Sequence, residues 1–220
     1  MVIDGAVEIC TNYDIDGIHL DDYFYPTDKA AFDDAAYIEL GGIQTRSQFR
    51  KNNVNMLVKG LYKAIKEINP NLLFGISPAG NIENNRGYLS ADIDTWGRIS
   101  GYVDYLMPQL YWGFNYSYST VRYENVLKNW RNIVTNTNVK LIPGIPFFKA
   151  IASEREGADG SEWVNSKSVL KRMTETAKAY NCGGVCGFSY QKFFDRKDGT
   201  VIAESKQEAD NFFAAIKAWK

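Results

Sequence analysis

Five short apolar runs, each parted from the next by a longer segment of helical spacing, govern what this chain can fold into. They cover Gly17 to Tyr23, Leu72 to Pro78, Val103 to Trp112, Lys140 to Lys149 and Gly183 to Tyr190. Antiparallel neighbours need only a tight turn, whereas parallel neighbours need a crossover, and a helix is the usual one. The alternation therefore predicts an α/β fold on a parallel sheet. Between the first two runs, Val54, Leu57, Val58, Leu61, Ile65 and Ile68 recur at three- and four-residue spacing, predicting an amphipathic helix over Ser47 to Ile68 that stops at Asn69-Pro70. Further helices are expected over residues 2 to 12, near Asp92 to Ser100, near Tyr123 to Val134, over Ser168 to Tyr180 and from Ser205 to Trp219. A long acidic loop is expected from the first run to about Thr45. The prolines of the fourth run predict a bulged or irregular course.

Polar residues gather at the C-terminal end of every run: Asp21 and Asp22, Ser77 to Asn85, Gln109 to Tyr118, Phe148 and Lys149, and Ser189 to Lys192. Parallel-sheet barrels and open α/β folds carry their ligand sites at that end. The first run is the most telling. Successive strand side chains face opposite sides, so Ile18 and Leu20 share one face while Gly17, His19, Asp21 and Tyr23 share the other. Burying an imidazole, a carboxylate and a phenol unpaired costs about 1–3 kcal/mol each, so that face suits a wet cleft. Pro26 then limits regular pairing, which places Asp21 and Asp22 at the strand's end. Asp16, at the strand's start, reads as a structural acceptor. Ser77, Gln109, Tyr111 and Trp112 end the next two runs and suit recognition of hydroxyl and amide groups and stacking against flat apolar faces.

Composition narrows the partners. With 45% hydrophobic and 23% charged residues and a net charge of -1 over 220 residues, the chain is one globular domain with no footprint for nucleic acid. It has no apolar stretch long enough to span a membrane. Cys10, Cys182 and Cys186 lack zinc spacing and read as buried thiols. No glycine fingerprint or Walker-type lysine follows any run, so no nucleotide cofactor is expected, and no ligand-spaced cluster proposes a metal.

The run Tyr13-Asp-Ile-Asp16-Gly-Ile-His19-Leu-Asp21-Asp22-Tyr23-Phe-Tyr25-Pro26 resembles the fourth-strand motif of the family 10-like glycosyl hydrolases. The resemblance continues through Arg50-Lys-Asn-Asn53-Val-Asn55, Asn69-Pro70, Phe74-Gly-Ile-Ser77-Pro78, Thr95-Trp96 and Gly101-Tyr-Val-Asp-Tyr-Leu-Met-Pro-Gln109-Leu-Tyr111-Trp112. It implies a TIM-type (β/α)8 barrel of which residues 1–220 form a single partial domain, covering roughly strands 4 to 8. Truncation is the expectation, with the missing barrel half supplied elsewhere or replaced by self-association through open sheet edges. An extracellular or cell-surface setting is implied by the resemblance alone.

The resemblance further implies cleavage of O-glycosidic bonds in an oligosaccharide or polysaccharide, possibly an amino-sugar-containing cell-wall or surface glycan. Such cleavage needs an acid for the leaving oxygen and a second group at the oxocarbenium-like carbon. Asp21 and Asp22 are the acid candidates, since neighbouring carboxylates repel and one can hold its proton to higher pH. His19 and Tyr23, with Ser77, Gln109, Tyr111 and Trp112, are the substrate-binding candidates. The second carboxylate is not offered where the fourth run ends, at Phe147-Phe148-Lys149, which leaves the missing half, Glu83, Glu154 or the substrate's own N-acetyl group. The motif is also similar to that of family 18 chitinases, but Tyr23 stands where they keep their catalytic glutamate. A non-catalytic carbohydrate-binding module and an inactive half-barrel are the alternatives. Arg50 and Asn53, at the start of a helix, read as surface packing or capping.

Overall fold

A computed structural model describes residues 1–21, 23–151 and 160–219. Two residues singled out above, Asp22 and Glu154, lie outside the described residues. The fold is α/β with parallel strand pairing, as the alternation of runs and helices predicts. It divides into two compact units: Met1–Leu106 with Ile133–Lys140, and Met107–Asn132 with Leu141–Lys220.

In the first unit, α1 (Val2–Asn12) leads into β1 (Gly17–Leu20), which pairs in parallel with β2 (Leu73–Ile76). β2 pairs in parallel with β3 (Tyr105–Leu106), and Lys140, which opens β4 (Lys140–Leu141), donates its N–H to the Asp104 carbonyl at 2.9 Å. The sheet runs β1-β2-β3-β4, so β1 is an edge. Ile18 and Leu20 are accordingly only half-buried, while Phe74 and Ile76 on β2 are fully buried. β1 stops at Leu20, short of the Tyr23 the alternation predicted. Beyond it Phe24 takes a positive φ of 62° and packs edge-on against Trp96, so the chain turns out of the sheet before Pro26.

The helix of the first crossover, α3 (Arg46–Ile68), matches its expected span, with Val54, Val58, Leu61 and Ile65 buried. Thr45 and Gln48 form a reciprocal capping box at its start. At its other end Lys66 reaches Asp104 at 2.8 Å and the Leu72 carbonyl at 2.6 Å. The Asp104 carboxylate also accepts the Phe74 N–H, so one ion pair ties the end of α3 to the entry of two strands. α1 lies against α3, where a Cβ on Gly60 would stand 2.8 Å from Ile3 Cδ1.

The expected acidic loop is instead a folded segment. It contains α2 (Asp34–Leu40) and is stapled to the start of α3 by Arg46 and Arg50. The turn-rich stretch after β2 likewise contains α4 (Ile82–Arg86), capped by the Asn81 side chain, followed by α5 (Ile93–Arg98). Asn85, buried, donates to the carbonyls of Ala79 at 2.6 Å and Asn81 at 2.9 Å, closing that loop on itself.

The second unit pairs β5 (Gly144–Pro146) with β6 (Cys186–Phe188) in parallel, and an isolated parallel bridge joins Gln109 to Gly144. Proline explains why the long third and fourth runs yield only short strands. Pro108 has no N–H to give a ladder between Leu106 and Gln109, and Pro143 separates β4 from β5. Helices α6 (Tyr123–Ile133), α7 (Gly160–Asn165), α8 (Val169–Ala179) and α9 (Lys206–Lys217) complete the described chain. Tyr123, fully buried, donates to the Met173 carbonyl at 3.1 Å. The buried Glu208 carboxylate of α9 accepts the Leu170 N–H at 2.5 Å, meeting one of the unpaired donors that open α8. The three cysteines are free, and only Cys182 is buried, its thiol pushed up to about 12 by that burial. Cys10 and Cys186 are half-buried, which corrects the reading of three buried thiols.

Candidate active site

The register of the first sheet explains the geometry at the end of β1. His19 pairs with Gly75, and Gly75 pairs with Tyr105. Three residues thus line up across three strands, and the middle one has no side chain. The rings of His19 and Tyr105 fill the gap, stacked at 5.7 Å between centroids and 6° from parallel, with His19 Nδ1 3.0 Å from Tyr105 Oη. A Cβ at Gly75 would lie 2.1 Å from the Tyr105 ring. Gly75→Ala is therefore expected to destabilise the fold by about 1–3 kcal/mol and to break the His19–Tyr105 contact. Urea unfolding and the His19 ring resonances would report the two effects, and a variant with unchanged resonances would show the glycine to be dispensable.

Asp21 lies within electrostatic reach of His19 and Tyr23. Partial burial lowers the His19 pKa from its ordinary 6.5, and the Asp21 carboxylate opposes that shift. The Tyr23 phenol is raised above 10 by burial first, then by Asp21, then by Tyr88. His19, Asp21, Tyr23 and Tyr88 therefore form one electrostatic group. Ser77, one residue past the Leu20–Ile76 pair, is level with Asp21, buried, and gives its N–H to the Leu20 carbonyl at 2.8 Å.

The chain's single histidine makes the His19 shift measurable. Its NMR titration should fall below 6.5. Because the folded state disfavours the proton, the unfolded chain binds it first as pH drops below 6.5, and stability declines from there down to the lower folded value. A midpoint at or above 6.5 would contradict the burial that sets the shift.

The second unit presents its own constellation. Gln109, Tyr111 and Trp112 are half-buried at the end of the interrupted third run. Tyr111 stacks on Phe188 at 5.7 Å and meets Phe148 edge-on at 5.6 Å. Phe188 is 49% exposed. Three rings from three strand ends thus make an aromatic surface that includes Phe148 and Phe188, absent from the candidates read from sequence. Carrying the alternation of Met107, Gln109 and Tyr111 back by two residues finds Tyr105, also missed. Nothing local in the sequence foretells that Phe148 and Phe188 converge on Tyr111.

Among the described residues just beyond β5 are Phe147, Phe148 and the buried Lys149, and no carboxylate. Glu83 is paired with Arg86 at 3.0 Å. The buried Glu162 is engaged by the Asn115 N–H and by Arg172. Arg50, read as surface packing or capping, is 4% exposed and grips Asp33 with two N–H groups. No His, Cys, Asp and Glu cluster with metal-binding geometry occurs among the described residues, and no described helix is long and apolar enough to cross a membrane.

Residues 1–164 match the family model of glycosyl hydrolase-like 10. Glycosyl hydrolase DigH of Escherichia coli K12 is 33% identical over an alignment of 161 residues that covers 66% of this chain and 36% of the relative. Glycosyl hydrolase YngK of Bacillus subtilis is 34% identical over 198 residues, 80% of this chain and 38% of the relative. The chain thus spans little more than a third of the length of these curated relatives.

Proposed function

We propose, from the premise that this chain belongs to the glycosyl hydrolase-like 10 family, that it takes part in cleaving O-glycosidic bonds of a polysaccharide, with Asp21 as general acid. The observation that carries the reading is the place of Asp21, exposed at the end of β1 beside the buried Ser77 and two residues from His19. An acid there would protonate the leaving glycosidic oxygen, and the neighbouring histidine and phenol would orient it. Asp22 is the companion candidate from the sequence motif. Ser77, level with Asp21, would hold a sugar hydroxyl there, and in the second unit Gln109, Tyr111 and Trp112 would hold sugar hydroxyls and ring faces of their own. An amino-sugar glycan is the substrate class favoured, because its N-acetyl group can itself stabilise the reacting carbon where the sequence after Pro146 continues with Phe147, Phe148 and Lys149.

The reading includes a partial barrel: residues 1–220 as one domain supplying strands four to eight. What supports it is the parallel pairing, the run of helical crossovers and the edge position of β1. Its unpaired backbone N–H and C=O groups would seat a further parallel strand. The buried Lys149 where common retaining barrels keep a carboxylate favours one second reading, a carbohydrate-binding domain without turnover. Incubating the protein with chitooligosaccharides and cell-wall glycans and assaying reducing ends separates the two. Release of new ends that depends on Asp21 supports the enzyme, and binding without release supports the binding domain.

A further inference from the structure

The segments that follow β1 and β2 form an open cavity of about 410 Å³, lined by Asp28, Arg46, Ser47, Arg50, Ser90 and Tyr88, the last of which belongs to the Asp21 group. That volume lies near the small end of ligand pockets. Its floor is built rather than incidental. Arg50 is buried, bonded to both Asp33 oxygens and to the carbonyls of Lys29 and Thr27. Arg46 is held by Asp33, Asp34 and the Ala30 carbonyl.

Charge decides the ligand class. Asp28, Asp33 and Asp34 outnumber the two guanidiniums, whose positive charge is already matched, so a phosphate or carboxylate would meet no net attraction. Hydroxyl groups remain. Among the described residues the side-chain hydroxyls of Ser47, Ser90 and Tyr88 make no hydrogen bond, and the Asp28 carboxylate is exposed. Tyr88, 43% exposed, offers an apolar ring face at the mouth and lies close enough to Tyr23 to raise its phenol. Donors, acceptors and one aromatic face, with no excess of positive charge to hold an anion, are what a pyranose ring needs.

We propose that this cavity is a subsite for one neutral, hydroxyl-rich sugar residue of the glycan, next to the residue positioned at Asp21. The assignment rests on the glycosidase reading for its ligand and deepens it. Tyr88 would stack on the ring, and Ser47, Ser90 and Asp28 would bond its hydroxyls.

The test is calorimetric titration of the Asp21→Asn protein with chitobiose and chitohexaose, repeated with Tyr88→Ala and with Ser47→Ala added. Both side chains are exposed, and unchanged thermal unfolding confirms that the fold persists. Chitohexaose affinity should fall about three- to tenfold in Tyr88→Ala and less in Ser47→Ala, with the loss greater than for chitobiose. If both variants bind chitohexaose as tightly as their parent, the subsite is overturned while the glycosidase reading survives. If the parent binds with the expected length dependence but the unsubstituted protein never cleaves, the glycosidase reading falls and the subsite stands. No binding of either oligomer overturns both.

Discussion

Asp21→Asn is expected to lower glycosidic turnover by about 10²- to 10⁴-fold, the usual worth of a positioned general acid, with oligosaccharide affinity retained. Asparagine keeps the size and hydrogen-bonding shape of the side chain but has no carboxylic proton to deliver. The loss should therefore fall on kcat and leave KM almost unmoved. A structural readout accompanies the kinetic one. The Asp21 carboxylate now opposes the downward shift of His19, so removing its charge should push the His19 titration lower still. If kcat drops and the His19 midpoint moves down, the residue both carries the proton and sits where the coupling to His19 and Tyr23 requires. If turnover survives while the midpoint moves, Asp21 is in place but is not the acid, and Asp22→Asn becomes the decisive variant.

How much of this was legible before any coordinates depends on the range over which each feature is determined. α3 was readable because its apolar stripe repeats over six turns and its stops are local, a capping threonine at one end and Asn69-Pro70 at the other. The start of β1 and the facing of His19 and Asp21 followed from alternation over a few residues. Its early end at Leu20 did not, because the turn at Phe24 is held by Trp96, far along the chain. α2 and α4, of seven and five residues, are too short for periodicity to register. They are held by Arg46, Arg50 and Asn81, contacts that a loop-like composition conceals. The site divides the same way. Polar residues at strand ends were visible, but Tyr105 joins His19 only through the gap at Gly75, and Phe148 and Phe188 meet Tyr111 only through pairing of distant strands. The burial of Arg50 is hidden from the sequence for the same reason, since its partner Asp33 lies in a segment of loop-like composition.

Arg50→Met should be the most destabilising single change in the first unit, at about 3–5 kcal/mol, the cost of stripping one partner from a buried ion pair. Methionine fills much of the same volume, so the loss measures charge and fork geometry rather than a void. Asp33, 8% exposed at its side chain, would keep only Arg46, the Thr27 carbonyl would lose the Arg50 N–H, and the Lys29 carbonyl would be left with the Phe32 N–H. The Arg50 fork, followed by Arg46, holds the Asp33 carboxyl down at about 2, from an ordinary 3.8. A depressed carboxylate stabilises the fold fully above 3.8, and the contribution drains as pH falls toward about 2. The gap in urea midpoint between the two proteins should therefore be widest near neutrality and narrow through that acid window. An equal gap at every pH would mean that packing, and not the ion pair, sets the cost. The consequence reaches the site. Arg50 also lies over the Tyr25 ring at 5.1 Å, and Tyr25 bonds the Leu89 carbonyl across the β2 loop. Loosening this staple should free the segment just beyond Asp21 and Tyr23. The variant should then lose kcat even at temperatures where it remains folded, and Arg50→Lys, which keeps the charge but not the fork, should recover stability only in part.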